Sequence, residues 1–173
     1  MIRLEQEPLR THTTFRIGGP AAYYFIPERE EEIIEALDFA KEKGLSYYVI
    51  GKGSNMLFSD DGFDGVIIEI GKGLEKIEIS DDGVVTAQAG VSLAYMASRL
   101  ASKGVKGFAF AGGIPGTLGG GVAMNAGAYG GEIKDCIVSA KVLTKEGERV
   151  VLKKEDLQLS YRNSVILQKG YLV

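Results

Sequence analysis

The residues of this 173-residue chain that could do chemistry gather in four short segments. The first is Gly51-Lys52-Gly53-Ser54-Asn55. Two glycines permit a tight turn whose backbone N–H groups converge on an anion, and Ser54 and Asn55 add side-chain donors. Such a loop suits a phosphate or pyrophosphate, although alone it also reads as a plain turn. It is not a dinucleotide fingerprint, because Met56 stands where the third glycine belongs, and no P-loop sequence occurs anywhere. The second segment runs from Ala111 through Ile114-Pro115-Gly116-Thr117-Leu118 to Gly119-Gly120-Gly121. Pro115 and Gly116 make a turn, and Thr117 can cap a helix. Each glycine in that helix costs about 1 kcal/mol relative to alanine. Close packing would offset the cost. So would a flat ligand lying on bare backbone, with a phosphate at the helix N-terminus. The third segment, Asn125-Ala126-Gly127-Ala128-Tyr129-Gly130, leaves space and offers polar groups at a rim. In the fourth, Tyr161-Arg162-Asn163-Ser164, the Arg162 guanidinium is a fork for a carboxylate or phosphate, or else one half of a surface ion pair.

Other chemistries are excluded by count. One cysteine, Cys136, permits no disulfide framework, and one histidine, His12, permits no two-histidine metal site. Both read as structural. Lys plus Arg number 20 against 23 Asp plus Glu, so the chain carries −3 and offers no basic tract to a nucleic acid. The first ten residues form no secretory signal, which gives a cytoplasmic reading. Residues 107–131 run uncharged for 25 positions, long enough to span a bilayer. Ten of them are glycine and Pro115 interrupts them, so no membrane helix is expected. Clustered glycine marks close approach of backbone to backbone or to a ligand.

The positioning elements follow from periodicity. Residues 22–27 read as a strand, and Ile33, Ile34, Leu37 and Ala40 recur at helical spacing up to Gly44. Residues 46–50 read as a second strand, giving one β-α-β unit with parallel strands. The acids Glu28, Glu30, Glu31 and Glu32 suit a helix start and are expected on its solvated face. Short, antiparallel-looking strands follow at 65–70, 74–79 and 84–88. Ser92 opens a helix with Leu93, Met96, Ala97 and Leu100 on its core face, ended by Gly104. Strands at 137–144 and 148–152 flank a Lys145-Glu146-Gly147 turn. Residues 170–173 look like a strand just beginning, as expected of a partial protein. The fold class expected is α+β.

Together and in this order, with Thr13-Thr14-Phe15-Arg16-Ile17-Gly18-Gly19 ahead of them, these segments resemble the UDP-N-acetylenolpyruvoylglucosamine reductase family, the UDP-N-acetylmuramate dehydrogenases. The likeness runs from about Thr11 to the last residue. It implies an oxidoreductase of bacterial peptidoglycan synthesis in which NADPH reduces a non-covalent FAD. The flavin then passes hydride to UDP-N-acetylglucosamine enolpyruvate. The implied fold is the two-lobed FAD-binding domain of the vanillyl-alcohol oxidase type, with lobes at 1–70 and 71–173. By motif, Gly51, Lys52, Gly53, Ser54 and Asn55 would hold the pyrophosphate, with Met56 beside them. Ile114, Pro115, Gly116, Thr117, Gly119 and Gly120, then Asn125, Ala126, Gly127, Ala128, Tyr129 and Gly130, would line the rest of the FAD. Tyr161 and Arg162 would bind substrate, Arg162 as the catalytic group on its carboxylate.

Family members continue into a substrate-binding domain that carries a proton-donating serine and an assisting glutamate, and neither motif is matched here. The resemblance therefore implies the FAD-binding part, inactive by itself. Two alternatives stay open: another flavin oxidoreductase of this fold, attached through His12 or Cys136, or a non-catalytic FAD-binding module. Oligomeric state is not legible.

Overall fold

Val66, Ile67 and Ile68 are fully buried, and an unbroken apolar run of this kind belongs to a strand covered on both faces. In the computed structural model, which describes residues Met1–Val173, they lie in a central strand. The chain divides into two units, Met1–Leu74 and Glu75–Val173. The first contains β1 (Ile2–Pro8), β2 (Pro20–Ile26), α1 (Glu30–Glu42), β3 (Tyr47–Ile50) and β4 (Phe63–Glu69). Its sheet has the order β1-β2-β4-β3. β1 is antiparallel to β2, whereas β4 is parallel to both β2 and β3.

The expected β-α-β unit is present as β2-α1-β3, but its strands are not neighbours, because β4 inserts between them. β4 is also parallel to its partners, not antiparallel as its short pattern implied. Periodicity reveals which face a side chain takes, not which strand lies alongside. Alternation along β2 divides the sheet's two faces. Tyr23 and Phe25 meet Phe39 of α1, with ring centroids 4.8 and 5.3 Å away. Tyr24 points the other way, into a cluster with Leu9, Ile50 and Ile67.

One acid of the α1 start is misplaced by the pattern. Glu32 is only 6% exposed, and its carboxylate accepts from the Glu28 N–H at 2.7 Å and from Arg29 at 2.9 Å. It caps the helix entry rather than facing water. That N–H first, and the guanidinium second, hold its carboxyl down at about 2.

The second unit begins with the antiparallel pair β5 (Ile77–Ile79) and β6 (Val85–Ala87). Next come α2 (Leu93–Ser102), α3 (Leu118–Ala123) and the two-residue strands β7 (Gly127–Ala128) and β8 (Gly131–Glu132). β9 (Ser139–Leu143), β10 (Arg149–Lys153) and α4 (Val165–Lys169) complete it, with β9 and β10 antiparallel. Its core joins Leu93, Met96 and Leu100 of α2 to Val122, Val142, Leu157 and Ile166, so Met96 packs as expected. Residues 170–173 do not form a regular strand. Gly170 closes α4 as a left-handed C-cap, and Leu172 makes an isolated antiparallel bridge to Leu143. No helix is long and apolar enough to cross a membrane.

Candidate functional site

Arg162 sits at the tip of a turn that the fold grips from both sides. Ser160 and Asn163 exchange backbone hydrogen bonds at 3.1 and 3.2 Å, leaving Tyr161 and Arg162 as the two residues between. Arg162 has φ +52°, a conformation usually left to glycine. The Ser160 carbonyl accepts from the Asn125 side-chain amide at 3.0 Å. On the other side Ser164, fully buried, donates its hydroxyl to the Ala123 carbonyl at 2.6 Å while capping α4. This is why the Tyr-Arg-Asn-Ser order matters: Ser164 is an anchor, and Tyr161 and Arg162 are displayed.

Asn125 is nearly as buried and also has positive φ, +44°. Its amide also donates to Glu132 at 2.9 Å, and its side-chain oxygen accepts the Lys134 N–H at 2.9 Å. The side chain is thus committed to the protein and frames the site from behind. Between Asn125 and Glu132, β7 and β8 close through Tyr129 and Gly130, both with positive φ, as in a type I′ turn. Glycine or asparagine is normal at the first of these positions. Tyr129 instead holds the strained conformation and is 96% exposed. Three strained non-glycine residues, each costing about 1–3 kcal/mol, thus occur in two adjoining turns, as functional sites often show.

These turns enclose a cavity of about 380 Å³. Gly127, Ala128 and Gly130 line it together with Tyr161 and Arg162, so the structure brings the third and fourth segments together. Four further lining residues, Gly131, Glu132, Lys134 and Asp135, were not singled out in the sequence. The available signal was charge reappearing directly after the long neutral stretch. Glu132 and Lys134 pair at 2.7 Å. The Lys134 bond first, and the Asn125 bond second, hold the Glu132 carboxyl below its usual range, and Arg162 adds to this.

The second segment is shaped mostly by packing. A Cβ on Gly119 would stand 2.8 Å from that of Ala89, and one on Gly121 would stand 3.1 Å from Leu93. Those two glycines let α3 approach its neighbours, while Gly120 faces outward. The expected phosphate at this helix start is not supported, because its N–H groups already have acceptors. Leu118 and Gly119 donate to the Val91 and Ala89 carbonyls at 2.7 and 2.8 Å. Gly120 reaches the Thr117 hydroxyl at 3.5 Å, and Gly121 the Thr117 carbonyl at 2.9 Å. Thr117 is buried as the cap, Ile114 packs on the core, and Pro115 is exposed. Ala126 is buried.

The remaining loop belongs to the first unit. Gly53 has φ +58°, and a Cβ there would lie 2.0 Å from the His12 carbonyl oxygen. Thr14 donates to the Gly53 carbonyl at 3.2 Å, so the Thr13–Gly19 motif braces the loop. A left-handed residue at the centre of a turn directs successive N–H groups to one side, the geometry of an anion nest. Lys52 and Asn55 are exposed, Gly51 and Ser54 half-buried, and Met56 packs against the Tyr24 cluster. His12 is engaged: its ring nitrogens stand 2.9 Å from Glu7 and 3.3 Å from Glu69. Tyr24 donates to Glu69 at 2.5 Å, and burial first, then that carboxylate, pushes its phenol far up. Cys136 donates its thiol to the Ile133 carbonyl at 3.4 Å, and burial raises its pKa.

The sequence profile of a family described as FAD binding domain matches residues 21–153. A UDP-N-acetylenolpyruvoylglucosamine reductase of Lachnoclostridium phytofermentans is 49% identical over 170 residues, covering 96% of this chain and 55% of that protein. The chain spans about half the length of the curated relatives it matches. The crystal structure of the Thermus caldophilus UDP-N-acetylenolpyruvylglucosamine reductase superposes with TM-score 0.83 at 30% identity, over 99% of this chain and 59% of that one. A glucooligosaccharide oxidase of Acremonium strictum, carrying a 6-S-cysteinyl, 8α-N1-histidyl FAD, shares the fold with TM-score 0.59 at 23% identity, over 87% of this chain and 32% of that one.

Proposed function

The chain belongs to the FAD binding domain family, and from that premise we propose that it is the flavin-holding part of a reductase that converts UDP-N-acetylglucosamine enolpyruvate to UDP-N-acetylmuramate, with NADPH as reductant, in peptidoglycan synthesis. The observation that carries the reading is the Arg162 turn, pinned by Asn125 and Ser164 at the mouth of a glycine-lined cavity. The 49% identity to a named reductase supports it. We read the two units, Met1–Leu74 and Glu75–Val173, as the two lobes of an FAD-binding domain. The setting we propose is the cytoplasm, where NADPH and nucleotide sugars are available.

The residues present fit a flavin. Gly53 makes a left-handed turn suited to a pyrophosphate, and Gly112, Gly120 and Gly130 leave backbone uncovered for a flat ring system. Gly51, Lys52, Ser54 and Asn55 would complete the pyrophosphate grip. Pro115, Gly116, Gly127, Ala128 and Gly130 would line the remainder through backbone and small side chains, with Ile114, Asn125 and Ala126 supporting them from behind. The cofactor, when bound, supplies the hydride transfer. We read its attachment as non-covalent. Both ring nitrogens of His12 are occupied by Glu7 and Glu69, and Cys136 is a raised-pKa thiol bonded to Ile133, so neither presents a free nucleophilic atom.

Arg162 acts on the substrate. Addition of hydride to the enolpyruvyl C3 leaves negative charge at C2 that spreads into the carboxylate. A guanidinium aimed at that carboxylate binds the transition state more tightly than the ground state. Its planar fork fixes two oxygens at once, and Tyr161, with its ring 5.5 Å from the guanidinium carbon, steadies it.

Arg162→Lys in the full-length protein tests the reading. Lysine keeps the charge and loses the fork. Reduction of the flavin by NADPH is expected to stay unchanged. Its reoxidation by the enolpyruvyl substrate should slow about 10²-fold, the scale of losing one such donor. Reoxidation at the normal rate would remove Arg162 from the reaction.

A further inference from the structure

We propose that Glu132 is a positioning residue for Arg162, an inference that rests on the reading of Arg162 as the carboxylate-binding group. Arg162 makes only a long bond of its own, 3.4 Å to the Gly127 carbonyl. The direction of its guanidinium is therefore set by how its backbone is held. The hold on Ser160 comes from Asn125, whose amide has two protons. One goes to the Ser160 carbonyl at 3.0 Å and the other to the Glu132 carboxylate at 2.9 Å. Glu132, together with the Lys134 N–H on the amide oxygen at 2.9 Å, thus fixes the rotation of the amide that fixes the turn. Asn125 stands in a strained conformation, at φ +44°, and the surrounding bonds must over-determine it.

Glu132 has a second task. The cavity presents two cations, Lys134 and Arg162, to any incoming anion. The same Glu132 oxygen that accepts from Asn125 accepts from Lys134 at 2.7 Å. That pairing occupies the lysine and leaves Arg162 as the cation open to a carboxylate. Arg162 also lies close enough for its charge to help hold Glu132 ionised. Glu132 touches neither substrate nor cofactor in this scheme. It acts through Arg162, at the range where a misplacement of about 1 Å costs up to 10²-fold in rate.

The test uses the full-length protein loaded with FAD, with reduction by NADPH and reoxidation by the enolpyruvyl substrate followed separately by rapid mixing. Glu132→Ala is expected to slow reoxidation about tenfold or more and to raise the substrate KM, with flavin reduction within about twofold of normal. Glu132→Gln keeps the length and an oxygen that can accept from both Asn125 and Lys134, so it should restore reoxidation to within about threefold. The double variant Glu132→Ala/Arg162→Ala should be no slower than Arg162→Ala alone, because a residue acting through another adds nothing once that one is gone.

Normal reoxidation in a folded Glu132→Ala enzyme overturns the proposal. So does a double variant slower by the full Glu132→Ala factor, or an equal loss in both half-reactions. A normal rate in Arg162→Ala alone overturns the underlying reading instead. Should Glu132→Ala not fold, Glu132→Asp carries the test. It keeps the charge and draws the oxygens back by one methylene, with the same slowing expected and a normal rate again decisive.

Discussion

A glycine can be needed for what it holds or for what it avoids, and Gly53 shows how the two separate. Its positive φ would let the loop bind an anion, but the 2.0 Å approach of a built Cβ to the His12 carbonyl makes glycine necessary with no ligand present. Gly53→Ala is therefore expected to destabilise the flavin-free protein by roughly 2–4 kcal/mol, strain and overlap together. Gly83 offers the control, with φ +83° and nothing within 4 Å of a built Cβ. Gly83→Ala should cost only about 1 kcal/mol, from the backbone conformation. Urea unfolding of both variants checks this, and equal midpoints would show that the His12 approach is not tight. Loss of flavin binding in a Gly53 variant is thus interpretable only beside its stability.

Two N-caps contrast at the scale of elements. Both capping bonds are long, 3.4 Å from the Leu167 N–H to Ser164 and 3.5 Å from the Gly120 N–H to Thr117, but Ser164, fully buried, also donates to Ala123 at 2.6 Å. Ser164→Ala strands the Ala123 carbonyl and should cost about 2–3 kcal/mol. Thr117→Ala should cost about 1 kcal/mol or less. Chemical denaturation ranks them, and the reverse order would contradict the anchoring assigned to Ser164. The entry of α1 adds a pH effect. The Glu32 carboxyl is held at about 2, below its ordinary 4.5. A depressed carboxyl contributes stability above its unfolded pKa and loses it as pH falls through the folded value. The stability difference between the natural protein and Glu32→Gln should be constant above about pH 5 and shrink from about 4.5 towards 2. A difference independent of acid would mean that Glu32 caps through shape alone.

For the whole molecule, membership of the FAD binding domain family sets a thermodynamic expectation. A ligand that binds only the folded state stabilises it by about 2.7 kcal/mol at one hundred times its Kd. For a chain of this size that raises Tm by roughly 5–10 °C. A thermal melt with and without FAD measures it, and an unchanged Tm at saturating FAD would contradict flavin binding by these residues. With His12 and Cys136 both engaged, acid precipitation should leave the flavin free and fluorescent in the supernatant. Colour retained by the denatured protein would mean a covalent bond.

Read alone, the residues established the glycine-rich segments, the Arg162 fork, the α1 and α2 faces and the α+β class, because each is written in local spacing. A 3.6-residue period puts Leu93, Met96 and Leu100 on one side of a helix whatever surrounds it. What only the tertiary structure decided was pairing over distance. β4 enters between β2 and β3, and although its buried apolar run marks an interior strand, no local signal names the strands it pairs with. The α3 start is occupied by packing for the same reason, since the Val91 and Ala89 carbonyls that accept from Leu118 and Gly119 lie some thirty residues upstream. Glu132 and Lys134 joined Arg162 only through Asn125, whose side chain spans from residue 125 to residue 160. A hydrogen bond depends on where two groups come to rest, and that is settled by the packing of the whole unit rather than by the spacing of letters around either one.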